Sequence, residues 1–129
     1  MSARVLIVDD SRTVRLIVRR CIEQSDLPVE EILEGSNGED ALVQLQSQNV
    51  HIVLTDINMP KMDGLQLLIE MKRHERWRAI PVVMITTEAG SKAVVEAAKR
   101  GAAGYIRKPF TQSQICEQLS PLLQTALQT

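Results

Sequence analysis

The sequence predicts an α/β fold: a doubly wound, five-stranded parallel sheet with helices on both faces. Two observations carry that prediction, and a third says where the chemistry should lie. Short aliphatic and β-branched runs alternate five times with segments whose apolar residues recur at helical spacing, the order that βαβ crossovers generate. The first, third and fourth runs are apolar almost throughout, as parallel strands covered on both faces must be. Acidic, hydroxyl and ammonium side chains stand where these runs end, and in such sheets ligands sit outside the carboxyl ends of the strands.

The first strand is expected over 4–8 (RVLIV) and runs into Asp9 and Asp10. A helix follows, with Val14, Ile17, Val18, Cys21 and Ile22 as its expected buried stripe. The second strand is expected over 30–34 (EEILE). The turn at 35–38 (GSNG) offers Asn37 as N-cap of a second helix carrying Ala41, Leu42 and Leu45. That turn lacks the GK[ST] of a phosphate loop. The third strand, 50–55 (VHIVLT), aims Asp56 out of its end, and a further helix opens at Gly64 with Leu65, Leu68 and Ile69. The fourth strand, 81–85 (PVVMI), ends in Thr86, Thr87 and Glu88, and a helix over 91–100 has Ser91 as cap and Gly101 as stop. The fifth strand, 104–107 (GYIR), ends in Lys108 and Pro109. The last helix carries Ile115, Leu119, Leu122, Leu123 and Ala126. Pro121 falls inside it, removes one backbone bond to the Glu117 carbonyl, and is expected to kink or split it.

Composition narrows the function classes. With 15 basic against 16 acidic residues there is no electrostatic footprint for direct nucleic-acid binding. The first apolar run, 5–8, ends in two acids, unlike a signal peptide, and no run approaches the roughly 20 apolar residues of a membrane span. Cys21 and Cys116 have no CxxC partner and read as reduced core thiols. The expected compartment is the cytoplasm, with no membrane partner, and the expected organisation is a single domain over 1–129.

Singly, each polar residue at a strand end reads as an ordinary turn or cap. Together they do not. Asp9, Asp10 and Asp56 in one cleft would repel one another unless a cation sat among them, and Lys108 neutralises one charge at most. A hard divalent ion with oxygen ligands fits the remainder, and Mg²⁺ suits a site with one or two carboxylates and several waters. Carboxylates, Mg²⁺ and a lysine together form a site for a phosphoryl group, with a threonine hydroxyl as a further donor. Asp56 is then the expected nucleophile, giving an aspartyl phosphate, while the adjacent Asp9 and Asp10 suit the metal.

These residues resemble the response-regulator receiver domain, most closely its stand-alone chemotaxis (CheY-like) type. The matching pieces are 4–11 (RVLIVDDS), 53–64 (VLTDINMPKMDG), 81–89 (PVVMITTEA) and 102–111 (AAGYIRKPFT), which together span almost the whole chain. The resemblance implies the flavodoxin-like strand order 2-1-3-4-5. It implies Asp56 as phosphoacceptor, Asp9 and Asp10 as the acidic pair for Mg²⁺ with Asp10 the direct ligand, and the backbone carbonyl of Asn58 as a further ligand. Lys108 would pair with the phosphoryl oxygens, across a cis bond to Pro109. Thr86 would bond a phosphoryl oxygen and Tyr105 would rotate inward when Thr86 moves. Asn58 and Glu88 would tune self-hydrolysis, in the pairing of a short-lived signal. The implied donor is the phosphohistidine of a sensor histidine kinase, and the implied partners are that kinase, a downstream target protein and a phosphatase. The chain would catalyse only its own phosphorylation and dephosphorylation, in two-component signalling of the chemotaxis kind. It departs from the well-studied member of the chemotaxis type in Ile57, where that member has an aromatic residue, and Pro121 interrupts the last helix.

Alternatives stand beside this reading. A flavodoxin-like flavin protein needs a Ser/Thr-rich phosphate loop after the first strand, where Asp9 and Asp10 would repel the flavin phosphate. A magnesium phosphohydrolase usually takes both key acids as DxD from one strand, and here they come from two. A receiver excised from a larger regulator or hybrid kinase, or a scaffold never phosphorylated, would carry the same residues. Arg12, Arg15, Arg19 and Arg20 make the first helix basic, either as a docking surface for an acidic kinase domain or as a solvated face. Lys72, Arg73, Arg76 and Arg78 surround Trp77 and complement a helix end. The face built from the fourth helix, fifth strand and fifth helix carries Lys92, Lys99, Tyr105 and Arg107, as a partner surface would. His51 and His74 lie away from the acidic cleft and are not expected to be catalytic.

Overall fold

The computed structural model describes residues 2–87 and 91–128. Five βα units follow in order: β1 Ala3–Val8, α1 Arg12–Glu23, β2 Val29–Gly35, α2 Gly38–Ser47, β3 Ile52–Asp56, α3 Gly64–Arg73, β4 Val82–Thr86, α4 Lys92–Lys99, β5 Gly104–Arg107 and α5 Gln112–Leu127. The strands pair in parallel in the order β2-β1-β3-β4-β5, the order the resemblance implies.

The unbroken apolar runs have a direct physical reason. Successive strand residues point to opposite faces, so a strand sandwiched between helices must be apolar at every position. Leu6, Val8, Val53, Val82 and Met84 face one way and pack with Ala41, Leu45, Leu67, Leu68, Met71, Val94 and Ala97 of α2, α3 and α4. Val5, Ile7, Ile52, Leu54, Val83, Ile85 and Ile106 face the other way, onto Val18 and Ile22 of α1 and Ile115, Leu119 and Leu123 of α5. The strand ends that carry Asp9, Asp56 and Thr86 are thereby fixed between two dense apolar layers.

The local signals hold at several helix starts. Asn37 Oδ1 accepts from the Asp40 amide at 2.9 Å, and Ser91 Oγ from Val94 at 3.3 Å. Gly101, just past the end of α4, has φ +98°, a conformation glycine adopts without the Cβ penalty.

Tertiary packing corrects other expectations. Asp56 and Thr86 are the last residues of β3 and β4 and not the first beyond them, because neighbouring strands extend the ladders by one residue. The buried stripe of α3 is Gly64, Leu67, Leu68 and Met71; Leu65 and Ile69 are only half-buried. Ile17, expected inside, is 47% exposed, and Leu16 beside it is 44% exposed. Cys21 and Cys116 are free but half-buried and not core thiols, and burial, with the Cys116 thiol alongside, raises the pKa of Cys21. Pro121 does not split α5, which runs through it. Buried Ile115, Leu119 and Leu123 hold both halves to the same face of the sheet. The carbonyl that Pro121 leaves unbonded belongs to exposed Glu117 and can turn to water.

Candidate functional site

Three loops at the carboxyl edge of the sheet build the site. β1 delivers Asp9, which is 2% exposed, and then the exposed Asp10. β3 delivers Asp56, and the β5–α5 connection delivers Lys108. One carboxylate oxygen from each of Asp9, Asp10 and Asp56 lies within 4.8 Å of the others. Lys108 Nζ donates to Asp9 Oδ2 at 2.9 Å and lies 3.5 Å from Asp56 Oδ2. Residues from three separate segments, up to 99 positions apart, thus meet at one point.

Each group is held by its own strand end. The Asp9 amide donates to the Gly35 carbonyl at 3.0 Å, and Asp9 Oδ1 accepts from the Ser11 amide at 2.8 Å. Asp56 Oδ1 accepts from the Ile57 amide at 2.8 Å. The Lys108 amide donates to the Thr86 carbonyl at 2.8 Å, which ties the lysine to buried Thr86. The Lys108–Pro109 peptide is cis. Asn58 is exposed, two residues beyond Asp56, and its side chain has no hydrogen-bond partner among the described residues. Glu88 lies outside the described residues. Ile57, at the position of departure from the chemotaxis type, is 4% exposed and packs into the α3 side of the core.

Gly64 explains how the end of β3 stays in place. Its amide donates to the Ile57 carbonyl at 2.8 Å, and a Cβ there would lie 2.1 Å from the Asp56 carbonyl oxygen. The N-terminus of α3 therefore touches the backbone at the end of β3 at a distance that only glycine permits.

The electrostatics describe a frustrated cluster. Burial, and then the Asp9 charge, raise the pKa of Asp56; Lys108 and the Ile57 amide only partly oppose them. A single ammonium facing three carboxylates leaves negative charge uncompensated. Hard oxygen donors in excess of the available cations fit a divalent ion such as Mg²⁺.

A second charged network lies behind β1. Glu34 Oε1 accepts from Arg15 Nε at 2.9 Å, and Glu34 Oε2 accepts from Arg19 Nη2 at 2.7 Å. Burial pushes Glu34 up, but its bonds to Arg19 and Arg15 outweigh that and hold its pKa below the ordinary value. Of the four arginines on α1, these two are therefore committed inside the molecule, leaving Arg12 and Arg20 exposed beside Leu16 and Ile17. Sequence reasoning missed the role of Arg15. Its one visible signal is an arginine in the first turn of a helix capped by Ser11, which accepts from Val14 at 3.3 Å.

The remaining candidates fall away from the cleft. His51 Nδ1 accepts from the Arg4 amide at 2.9 Å, on the opposite end of the sheet, and His74 stacks on buried Trp77 with ring centroids 4.0 Å apart. Among the described residues, no helix is long and apolar enough to cross a membrane.

Comparison with known proteins agrees with this geometry. Residues 5–120 match the family described as the response regulator receiver domain. The chain is 39% identical to chemotaxis protein CheY1 of Helicobacter pylori over 123 residues, covering 95% of this chain and 98% of that protein. It is 36% identical to a chemotaxis protein CheY homolog of Campylobacter jejuni, over 95% of this chain and 93% of that one. The solved structure of chemotaxis response regulator CheY4 of Vibrio cholerae superposes with a TM-score of 0.85 at 27% identity, covering 95% of this chain and 99% of that one. A family match over nearly the whole fold, relatives covered over nearly their whole length, and three acids and a lysine gathered at the carboxyl edge of a 2-1-3-4-5 sheet lead to one conclusion: the chain belongs to the response regulator receiver domain family and is a CheY-like response regulator.

Proposed function

We propose that residues 1–129 act as one receiver unit that takes a phosphoryl group onto Asp56 from the phosphohistidine of a sensor histidine kinase, loses it to water, and signals through a changed surface. The observation that carries this is the convergence of Asp9, Asp10 and Asp56 within 4.8 Å, with Lys108 against two of them. An Asp56 oxygen attacks phosphorus in line, the P–N bond to the kinase histidine breaks, and the imidazole nitrogen leaves with the electron pair. Lys108 reaches the entering phosphoryl oxygens from Asp9, and the Thr86 hydroxyl donates to another. Bound at the three carboxylates, with the Asn58 carbonyl as a further ligand, Mg²⁺ supplies positive charge for the equatorial oxygens. Later, water attacks phosphorus, the bond from Asp56 oxygen to phosphorus breaks, and inorganic phosphate leaves with Asp56 restored as a carboxylate, Asn58 and Glu88 setting the rate. The test is incubation with Mg²⁺ and acetyl phosphate followed by intact mass. A chain that stays unmodified would sink the proposal.

The phosphodonor helix docks on α1. Leu16 and Ile17 are 44% and 47% exposed, between exposed Arg12 and Arg20 on the helix that follows Asp10, a mixed apolar and basic stripe suited to an acidic amphipathic helix. Leu16→Asp and Ile17→Asp are expected to lower kcat/KM for transfer from an autophosphorylated histidine kinase roughly tenfold. Modification by acetyl phosphate, which needs no docking, should stay unchanged. Equal losses with both donors would refute the docking surface.

Output uses the face of α4, β5 and α5, where Lys92, Lys99 and Arg107 are exposed. Tyr105, 47% exposed, borders a small apolar cavity of about 50 Å³ lined also by Met84, Val94 and Ala97. Thr86 and Tyr105 share one face of the sheet, since Met84 pairs with Tyr105 and Thr86 lies two residues further along β4. Movement of Thr86 toward a phosphoryl oxygen makes room for the ring and re-shapes the surface a downstream target or a phosphatase reads. Tyr105 is the single tyrosine, so its nitration by tetranitromethane should slow on phosphorylation. An unchanged rate would count against the switch.

A further inference from the structure

We infer that Arg15 is a positioning residue for the divalent cation, acting on Asp10 through the main chain. The inference rests on the reading of Asp9, Asp10 and Asp56 as a metal site. Both carboxylate oxygens of Asp9 are engaged, one by the Ser11 amide at 2.8 Å and the other by Lys108 at 2.9 Å. The Asp10 carboxylate is exposed and has no hydrogen-bond partner among the described residues. Nothing on its own side chain aims it at the cleft, so its direction is set by its backbone.

That backbone is fixed on both sides. In the peptide after Asp10, the Ser11 amide donates to Asp9 Oδ1. In the peptide before it, the Asp9 carbonyl accepts from Arg15 Nη1 at 2.5 Å. Arg15 spends its fork on two acceptors at once, the second being Glu34 Oε1 at 2.9 Å, and its side chain is only 16% exposed. Glu34 is anchored in turn by Arg19, which also donates to the Ile32 carbonyl at 3.1 Å. Arg19, Glu34 and Arg15 thus form a strut from β2 through α1 to the peptide that orients Asp10. A planar guanidinium can make both bonds together, whereas an ammonium is a point donor and cannot span them in the same geometry.

Arg15 also carries a positive charge close to the cation site, and charge and positioning predict opposite results. If charge dominated, removing it would tighten cation binding. If positioning dominates, removal releases the peptide and weakens binding. Groups that orient metal ligands from behind typically change affinity by about 10-fold or more when removed, so the Mg²⁺ Kd of Arg15→Ala should rise roughly tenfold.

The experiment is calorimetric titration of the full chain with MgCl₂, without phosphodonor. Arg15→Ala should bind roughly tenfold more weakly, and Arg15→Lys, which keeps the charge, should fall between it and the parent. Arg15→Lys carries the test alone if the alanine variant fails to fold. Arg19→Ala, which loosens the far end of the strut without touching Asp9, should lower the urea midpoint and raise the Mg²⁺ Kd by less than Arg15→Ala does. An unchanged or lower Kd in both Arg15 variants, or an equal loss in Arg19→Ala, would overturn the inference while leaving the metal site intact. A parent chain that binds no Mg²⁺, or binds it equally after Asp10→Asn, would overturn the site reading and this inference together.

Discussion

Asp56→Asn, incubated with Mg²⁺ and acetyl phosphate, is expected to keep its unmodified mass, while the parent chain gains one phosphoryl group. The amide has no ionised oxygen to attack phosphorus, and Asp9, 2% exposed, is too buried for a donor to reach. Asp10 lies in the same cluster but on a different strand end, and its exposed carboxylate is proposed as a metal ligand. Residual modification of the variant would assign the acceptor role to a neighbouring acid.

The same substitution should stabilise the chain in metal-free buffer containing EDTA. Burial and the Asp9 charge raise the pKa of Asp56 in the folded state. A carboxyl group whose folded pKa is raised weakens the fold while ionised, and that penalty lifts as pH falls through the folded value. The urea midpoint of Asp56→Asn should therefore exceed that of the parent at neutral pH and converge with it in acid. Adding Mg²⁺ should narrow the gap from the other side, because a ligand that binds only the folded state adds stability by mass action. A lower midpoint for the variant at neutral pH would mean that attraction to Lys108 outweighs the repulsion.

Gly64→Ala is expected to cost about 3 kcal/mol, at the upper end of the range for overpacked sites. The atom in the way is a backbone oxygen, 2.1 Å from the new Cβ, and the next are the Asp56 carbonyl carbon and Ile57 Cα, both at 3.0 Å. None can rotate aside, so α3 or the end of β3 must shift. Gly38→Ala offers the contrast, because its new Cβ would meet Met62 side-chain atoms at 2.5–2.8 Å, and half-buried Met62 can change rotamer. Urea unfolding should show a large fall in midpoint for Gly64→Ala, at unchanged slope, and a smaller one for Gly38→Ala. Because the shift in Gly64→Ala displaces Asp56, modification by acetyl phosphate should slow as well. Equal stability losses in the two variants would show that the contact at Asp56 is not special.

Particular elements show what could be read before folding. The apolar runs of β1, β3 and β4 were legible because a strand with helices on both faces has no polar position to hide. The acids at the ends of β1 and β3 and the lysine after β5 were legible because the carboxyl edge of such a sheet is where loops converge. The helix stripes were less so: Ile17 fits a 3.6-residue period, yet α1 rotates to bury Val18 and Ile22 and leaves Ile17 in solvent. Periodicity fixes which residues share a face, but the rotation of that face is settled by the neighbouring helix and sheet.

The amino-acid order by itself determined the fold class and the sheet edge at which Asp9, Asp10, Asp56 and Lys108 gather, because alternation, caps and strand-end polarity are local properties of the chain. Only the tertiary structure decided that Arg15 and Arg19 turn inward to Glu34, that Arg15 grips the Asp9 carbonyl, and that Gly64 touches the end of β3. Those contacts join segments far apart in sequence, and which donor meets which acceptor depends on how helices and strands settle against one another, which no local pattern encodes.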